Sequence, residues 1–347
     1  MPTQKDVARL ASVSTATVSR VINRRAGVSC EVHKRVEQAI DVLAYRPHAG
    51  ARALALQRSG TLGAIVPTLN NALFAQGINA FERCAQSLGY SFNLALFHDD
   101  PQQEYELAMR MIERGVDGLL LVGNDHDSGI FDRLKKASIR HVCAWTFDEC
   151  SRFPHIGFDT TIAMQELVDH LLAHGHRKFG MLAGRVGDSV GTNKCIQGVV
   201  SRLNHHGLAL LPQCIVEVSN SLSDGRKAFW ELINNDVSAI LCDDDVIAQG
   251  ALLEAVKMGL SIPEDLSITG FGNSDFSAEL SPSLTSVQIN ACDMGEIAAR
   301  SLITAIENKT AVVSCQLDTQ LVIRESSGVC KPLTLQDDSH HVLAMIG

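Results

Sequence analysis

From residue 61 onward, short apolar runs alternate with amphipathic stretches of helical period, and the alternation happens twice. LGAIVP (62–67), FNLALF (92–97), GLLLVG (118–123) and HVCAW (141–145) make the first series, with helical patterns near 74–88, 102–114 and 128–137. KFGMLAG (178–184), CIVEV (214–218), SAILC (238–242) and LSITGFG (266–272) make the second, with helical patterns near 193–206, 224–234 and 246–258. Runs this short and this apolar predict strands buried on both faces. Parallel strands need crossovers of a dozen or more residues, which the intervening stretches supply. Two doubly wound parallel-sheet lobes with a cleft between them follow. At 347 residues the chain is also too long for one ordinary core.

Ligands of such sheets bind at the carboxyl ends of the strands, so the loops after each run are the places to search. TLNNALFAQ (68–76) follows the first run, and its Asn71 and Phe74 offer an amide and an apolar face to a small polar ligand. Trp145 ends the fourth run and can stack on a ring. After SAILC come Asp243, Asp244 and Asp245 at the start of a helix. Carboxylates at a helix start commonly serve as caps and dipole partners.

The first 59 residues are different in kind. They hold ten Lys and Arg against four Asp and Glu, while the rest of the chain holds 20 against 35. A basic head on an acidic body predicts a polyanion-binding module joined to something else. Thr3 with Asp6 can cap a helix in which Val7, Leu10 and Ala11 face inward. Ser14 or Thr15 can cap a second, with Val18, Val21 and Ile22 inward. Ser29 can cap a third, with Val32, Val36, Ile40 and Leu43 as its seam. An outer stripe of Thr15, Ala16, Ser19, Arg20 and Asn23 on the second helix describes a helix-turn-helix reader of the major groove. Arg20 can donate twice to guanine, Thr15 and Ala16 can touch a thymine methyl, and Ser14, Thr17, Ser19 and Asn23 suit phosphate oxygens.

YRPHAGARALALQRSG (45–60) favours helix by its alanines but lacks a wide apolar face, so it is predicted to fold only on a partner. Leu54 beside Arg52 suits a wedge into a minor-groove step. KDVARLASVSTATVSRVIN, followed by VSCEVHKRVEQAIDVLAYRPHAGARAL, resembles the DNA-binding head and hinge helix of the LacI/GalR family of bacterial transcription regulators. The resemblance runs to about residue 328. It implies recognition contacts at Thr15, Ala16 and Arg20 and an intercalating Leu54. It also implies a body similar to periplasmic sugar-binding proteins, with crossovers near 160, 290 and 320. The expected organisation is a head (1–46), a hinge (47–59), an effector-binding body (60–328) and a tail (329–347). Within the body, the N-lobe is about 60–160 and 291–319, and the C-lobe about 161–290 and 320–328.

The resemblance further implies that Asp245, in a D-x-x-A-x-G stretch, accepts bonds from effector hydroxyls. Two positions depart from the pattern. Cys195 stands where R-x-x-G places an arginine, with Lys194 adjacent, and Gly272 replaces an acidic contact, leaving Asn273 and Asp275 nearby. GFGNSDFSAELSPSLTSV resembles regulators of sugar-acid metabolism. The expected partners are palindromic double-stranded operator DNA, a second copy of the chain, and a sugar, sugar acid or polyol.

Rival chemistries are weaker. GDSVG (187–191) fits G-x-S-x-G but does not follow a strand directly, as a nucleophile elbow requires. His170, His174 and His176 have metal-like spacing at what reads as a helix end, and no phosphate-loop G-K-[ST] is present. No cofactor, metal or catalysis is expected. The alternatives are a sugar-binding or sugar-processing protein with a basic head, or a regulator answering to a nucleobase. MPTQKD lacks the apolar run of a signal peptide, no stretch is long enough to span a membrane, and the ten cysteines form no C-x-x-C pair. These features predict a cytoplasmic protein with reduced thiols. The tail lacks sustained heptads, so no coiled-coil helix is expected there.

Overall fold

The computed structural model describes residues 2–22, 27–46, 58–98, 100–184 and 191–329. Asn23, Arg52, Leu54 and the tail from 330 lie outside the described residues. The chain forms two compact units, residues 1–61 with 115–117 and residues 62–114 with 118–347.

In the first unit, α1 (Gln4–Leu10), α2 (Thr15–Ile22) and α3 (Cys30–Val42) enclose a small core of Val7, Ala8, Ala11, Val18, Val21, Val36 and Ala39. All three starts are fixed by short polar side chains. Thr3 and Asp6 form a capping box, Ser14 Oγ accepts from Thr17 N at 3.1 Å, and Ser29 Oγ accepts from Val32 N at 3.4 Å. Leu10, expected inside, is 50% exposed. The buried stripe of this seven-residue helix runs through Ala8 instead, leaving Leu10 on its flank.

The second unit contains two six-stranded sheets. The first has the order β11-β5-β4-β3-β1-β2, built from β1 (Thr61–Val66), β2 (Ser91–Leu96), β3 (Gly118–Val122), β4 (Arg140–Ala144), β5 (His155–Gly157) and β11 (Cys315–Gln316). The second has the order β12-β10-β9-β8-β6-β7, built from β6 (Phe179–Gly184), β7 (Ile215–Val218), β8 (Ala239–Cys242), β9 (Ser267–Gly272), β10 (Thr285–Gln288) and β12 (Gln320–Val322). Recorded pairings are parallel except β10 with β12. The chain passes between sheets after β5, after β10 and between β11 and β12. Two runs expected as fully buried strands, β2 and β7, are half-exposed because each is an edge strand with one neighbour.

The connecting helices are α4 (Ala72–Ser87), α5 (Pro101–Glu113), α6 (Ser128–Lys136), α7 (Thr160–Ala173), α8 (Thr192–His205), α9 (Leu222–Ile233), α10 (Asp245–Lys257) and α11 (Ala291–Asn308). Helix α11, which follows the second crossing, packs on α4 with almost no separation. A Cβ on Gly295 would lie 2.0 Å from Gly77 O, and one on Gly77 would lie 2.5 Å from the Trp145 ring. Neither side of that contact can yield, since one is backbone. Gly295→Ala should therefore lower the body's unfolding free energy by about 1–3 kcal/mol, the range for overpacking. Urea denaturation checks this, and an unchanged midpoint would mean the two helices can move apart freely.

Candidate functional site

Helix α2 presents two faces. Val18 and Val21 are buried, while Ser14, Thr15, Ala16 and Arg20 are exposed and Thr17 and Ser19 half-buried. Ser14 and Thr17 also bond one another, Oγ to Oγ1 at 2.9 Å, which holds both hydroxyls at the start of the helix. That start carries the free N–H groups of a helix N-terminus, a natural seat for a phosphate.

The body holds a cavity of about 430 Å³ between the two sheets. Pro67, Thr68, Asn71, Phe74, His98 and Trp145 line it from one lobe; Gly184, Thr192, Cys195, Asn220, Asp243 and Asp244 line it from the other. Most of these residues sit just beyond the carboxyl end of a strand. Phe74 meets Trp145 edge-on, with centroids 5.4 Å apart. The Trp145 ring is 3% exposed, and its indole nitrogen has no hydrogen-bond partner.

Asn71 caps α4 through Oδ1, which accepts from Leu73 N and Phe74 N. Its Nδ2 donates across the cleft to Asp244 Oδ2 at 2.9 Å. Asp244 is itself the cap of α10, accepting from Val246 N at 2.8 Å, and also accepts from Asn220 Nδ2. Asp243 accepts from Gly184 N and from Thr192 Oγ1 at 2.8 Å. Burial pushes the Asp243 carboxyl up to about 6, against the opposing bonds from Gly184 and Thr192. Burial pushes Asp244 up to about 7, opposed by Val246 N–H and reinforced by its two neighbouring aspartates. Burial also raises the Cys195 thiol well above its usual range, helped by Asp243 and Asp244.

The other site residues expected from sequence fall elsewhere. Asp245 is 3% exposed, and its oxygens accept from Ser286 Oγ (2.6 Å), Ser274 N (2.6 Å) and Ser277 Oγ (2.7 Å). It fastens α10 to the loop after β9 and borders a second cavity of about 340 Å³. Asn273 and Asp275 line that second cavity, not the first. Asn273 accepts from Arg324 at 2.7 Å and donates to Gln288. Lys194 turns away, with Nζ 3.4 Å from Phe147 O and 3.9 Å from Asp148. His98, Thr192, Asn220, Asp243 and Asp244 were not singled out as ligand contacts. The strand-end rule alone could have found them, because each lies in a loop after a strand or at the following helix start.

The rival motifs have ordinary uses. His170 Nε2 pairs with Ser327 Oγ, His174 Nδ1 with His170 O, and His176 with Ser238 Oγ and Gly328 O. Most of GDSVG lies outside the described residues; Gly191 precedes α8 in a left-handed conformation. Among the described residues no helix is long and apolar enough to cross a membrane.

Comparison with known proteins decides the family. Residues 3–48 match the bacterial regulatory proteins of the lacI family, and residues 168–327 match the periplasmic binding protein-like domain. Catabolite control protein A of Priestia megaterium is 33% identical over 328 residues, spanning 93% of this chain and 98% of that protein. The chain belongs to the LacI family. It is a DNA-binding transcriptional regulator with a helix-turn-helix head and an effector-binding α/β body. Among solved structures, the transcriptional regulator CelR in complex with cellobiose is 26% identical with a TM-score of 0.69, covering 94% of this chain and 100% of that one. The lac repressor dimer bound to operator and an anti-inducer shares the fold at 24% identity and a TM-score of 0.83, covering 94% of this chain and 99% of that one.

The raised carboxyls give the body of this regulator a signature. The unfolded chain has ionised both by about pH 5, whereas the folded body still holds their protons, so their contribution to stability falls as pH rises through about 6 and 7. The thermal midpoint of Asp244→Asn should therefore fall less steeply between about pH 5 and pH 8 than that of the native protein. Parallel profiles in a thermal-shift series would show that Asp244 ionises at an ordinary acid pH.

Proposed function

We propose that this regulator is a cytoplasmic, non-enzymatic homodimer that represses transcription from a palindromic operator and is switched by a sugar or polyol in its cleft. The observation that carries the reading is the two-faced α2. A helix locked by Val18 and Val21 offers Thr15, Ala16 and Arg20 to solvent on its other side. Those three side chains read base edges, while Ser14, Thr17, Ser19 and Asn23 hold phosphates. Two heads on one duplex multiply the few contacts that each half-site offers. Arg52 and Leu54 enter the minor groove between the half-sites, where an apolar wedge unstacks a base step.

The cavity supports the effector half of the reading. It sits where doubly wound sheets bind ligands, mixes aromatic faces with amides and carboxylates, and is the right size for a monosaccharide or disaccharide. Asn71, Phe74, Trp145, Asp243 and Asp244 hold the effector, and Cys195 forms part of the wall. An effector that binds open and closed cleft unequally couples the two functions by linkage, whichever sign the coupling takes.

Selection from a randomised duplex pool tests the DNA half. Arg20→Ala should lose preference at one position per half-site, with a penalty of about 1–3 kcal/mol per contact. Retained preference would assign Arg20 to phosphate alone. Leu54→Ala should weaken operator binding more than binding to random DNA, measured by gel shift in the same buffer. Equal losses would remove the wedge.

A further inference from the structure

Away from the cleft, the lobe built on the first sheet holds a cavity of about 840 Å³ beside the residues that open β4, β5 and β11. Three cations line it from three separate elements. Lys135 comes from the last turn of α6, Arg140 from the first position of β4, and Arg152 from the loop before β5. Arg140 is half-buried and the other two are exposed, so a solute can reach them. Among the described residues none of the three forms an ion pair. Asp132 is the only carboxylate among the described lining residues, which leaves three positive charges against one.

Lys135 alone would be an ordinary partner for the dipole at the end of α6. That reading does not extend to Arg140 and Arg152, which lie outside the helix. The surplus also stands out from its setting. Residues 133–140 hold four Lys and Arg and no Asp or Glu, in a body that holds 20 against 35.

The apolar part of the cavity is aromatic. Phe131 and Phe153 stack with centroids 3.6 Å apart, and the Arg152 guanidinium lies 5.6 Å from the Phe153 centroid, where the ring face attracts it. His141 packs against both rings. Burial, then the charges of His126 and Arg140, push His141 down to about 4, which reports a positive local field. Burial opposes a charge on His126, yet hydrogen bonding to Cys143 and Glu104 pushes it up to about 10. Glu104 lies 2.9 Å from its Nδ1 and balances that charge within the wall, so the surplus at the surface belongs to Lys135, Arg140 and Arg152. An aromatic lining screens charge less than open water does.

We infer that this cavity is a second ligand site, which takes a small polyanion of the phosphate-ester or polycarboxylate class on Lys135, Arg140 and Arg152. The volume is that of a metabolite site. Guanidinium forks grip phosphate or carboxylate oxygens in pairs, and a lysine adds a point charge. Two negative charges match the surplus, whereas a monoanion leaves half of it uncancelled. The site does not depend on the cleft reading, because the cleft lies beyond the carboxyl ends of the strands and this cavity beside the starts of three of them.

Calorimetric titration of the full-length protein at constant ionic strength tests this. One arm uses phosphoenolpyruvate and phosphoglycerate, a second uses citrate and isocitrate, and acetate is the monoanion control. At least one polyanion should bind and acetate should not; the arm that binds identifies the source of the charge. Lys135→Ala and Arg140→Ala should each weaken binding about tenfold or more, as loss of a charge-assisted hydrogen bond implies. Arg140→Lys should keep part of the affinity, and Asp244→Asn, in the cleft, should leave it unchanged. The His141 ring protons, followed by NMR, should titrate at higher pH in the complex, because a bound anion favours the imidazolium. Binding that survives both alanine variants, that Asp244→Asn abolishes, or that leaves the His141 titration where it was, places the anion elsewhere and overturns the assignment. Absence of polyanion binding at millimolar concentration overturns it too, and a loss of random-duplex binding in the same variants would then assign the cations to DNA backbone phosphates.

Discussion

The amide of Asn71 donates to the carboxylate of Asp244 at 2.9 Å, and that bond ties the first turn of α4 in one lobe to the first turn of α10 in the other. Each partner is also the cap of its own helix. The same side chains that satisfy orphan backbone amides therefore register the two lobes against one another. The first cavity is lined by both partners of this contact and by residues of both lobes. Because Asp244 is half-buried and its carboxyl is pushed up to about 7, the contact is sensitive to anything that protonates or competes for that carboxyl.

Burial explains why the acidic group is so responsive. A carboxylate in water would ignore a distant neighbour, but here desolvation lifts both Asp243 and Asp244 toward neutrality. Neutral donors stabilise such groups without cancelling their field. Asp245, one residue on, has the opposite fate. Enclosed by three short hydrogen bonds from Ser274, Ser277 and Ser286, it holds the loop after β9 and the start of β10 to α10. Three identical side chains in a row thus divide between lining the first cavity and fastening the loop after β9.

Much of this architecture was legible in the sequence. The eight apolar runs and their intervening helical patterns announced two parallel sheets, and the polar residues at 3, 14 and 29 announced the caps of the head. Strands β5, β10, β11 and β12 escaped notice because two to four residues carry no period. The exposure of β2 and β7 also escaped, since an edge strand and a central one can share the same apolar run. At the site, Asn71, Phe74 and Trp145 emerged from the strand-end rule and do line the cavity. The family pattern points to Asp245 and passes over Asp243 and Asp244. Which of three adjacent carboxylates turns outward depends on the serines at 274, 277 and 286, some thirty to forty residues away, and no local pattern encodes that.

Gly77 sits one turn along α4 from Phe74, at the packing seam against α11. Yet any side chain there would strike Cζ2 and Cη2 of Trp145, the edge of the ring beside its lone indole donor. A methyl group introduced there would press on the indole that lines the cavity. Sequence drift at this helix seam thereby reshapes the cavity even while every polar residue lining it stays the same.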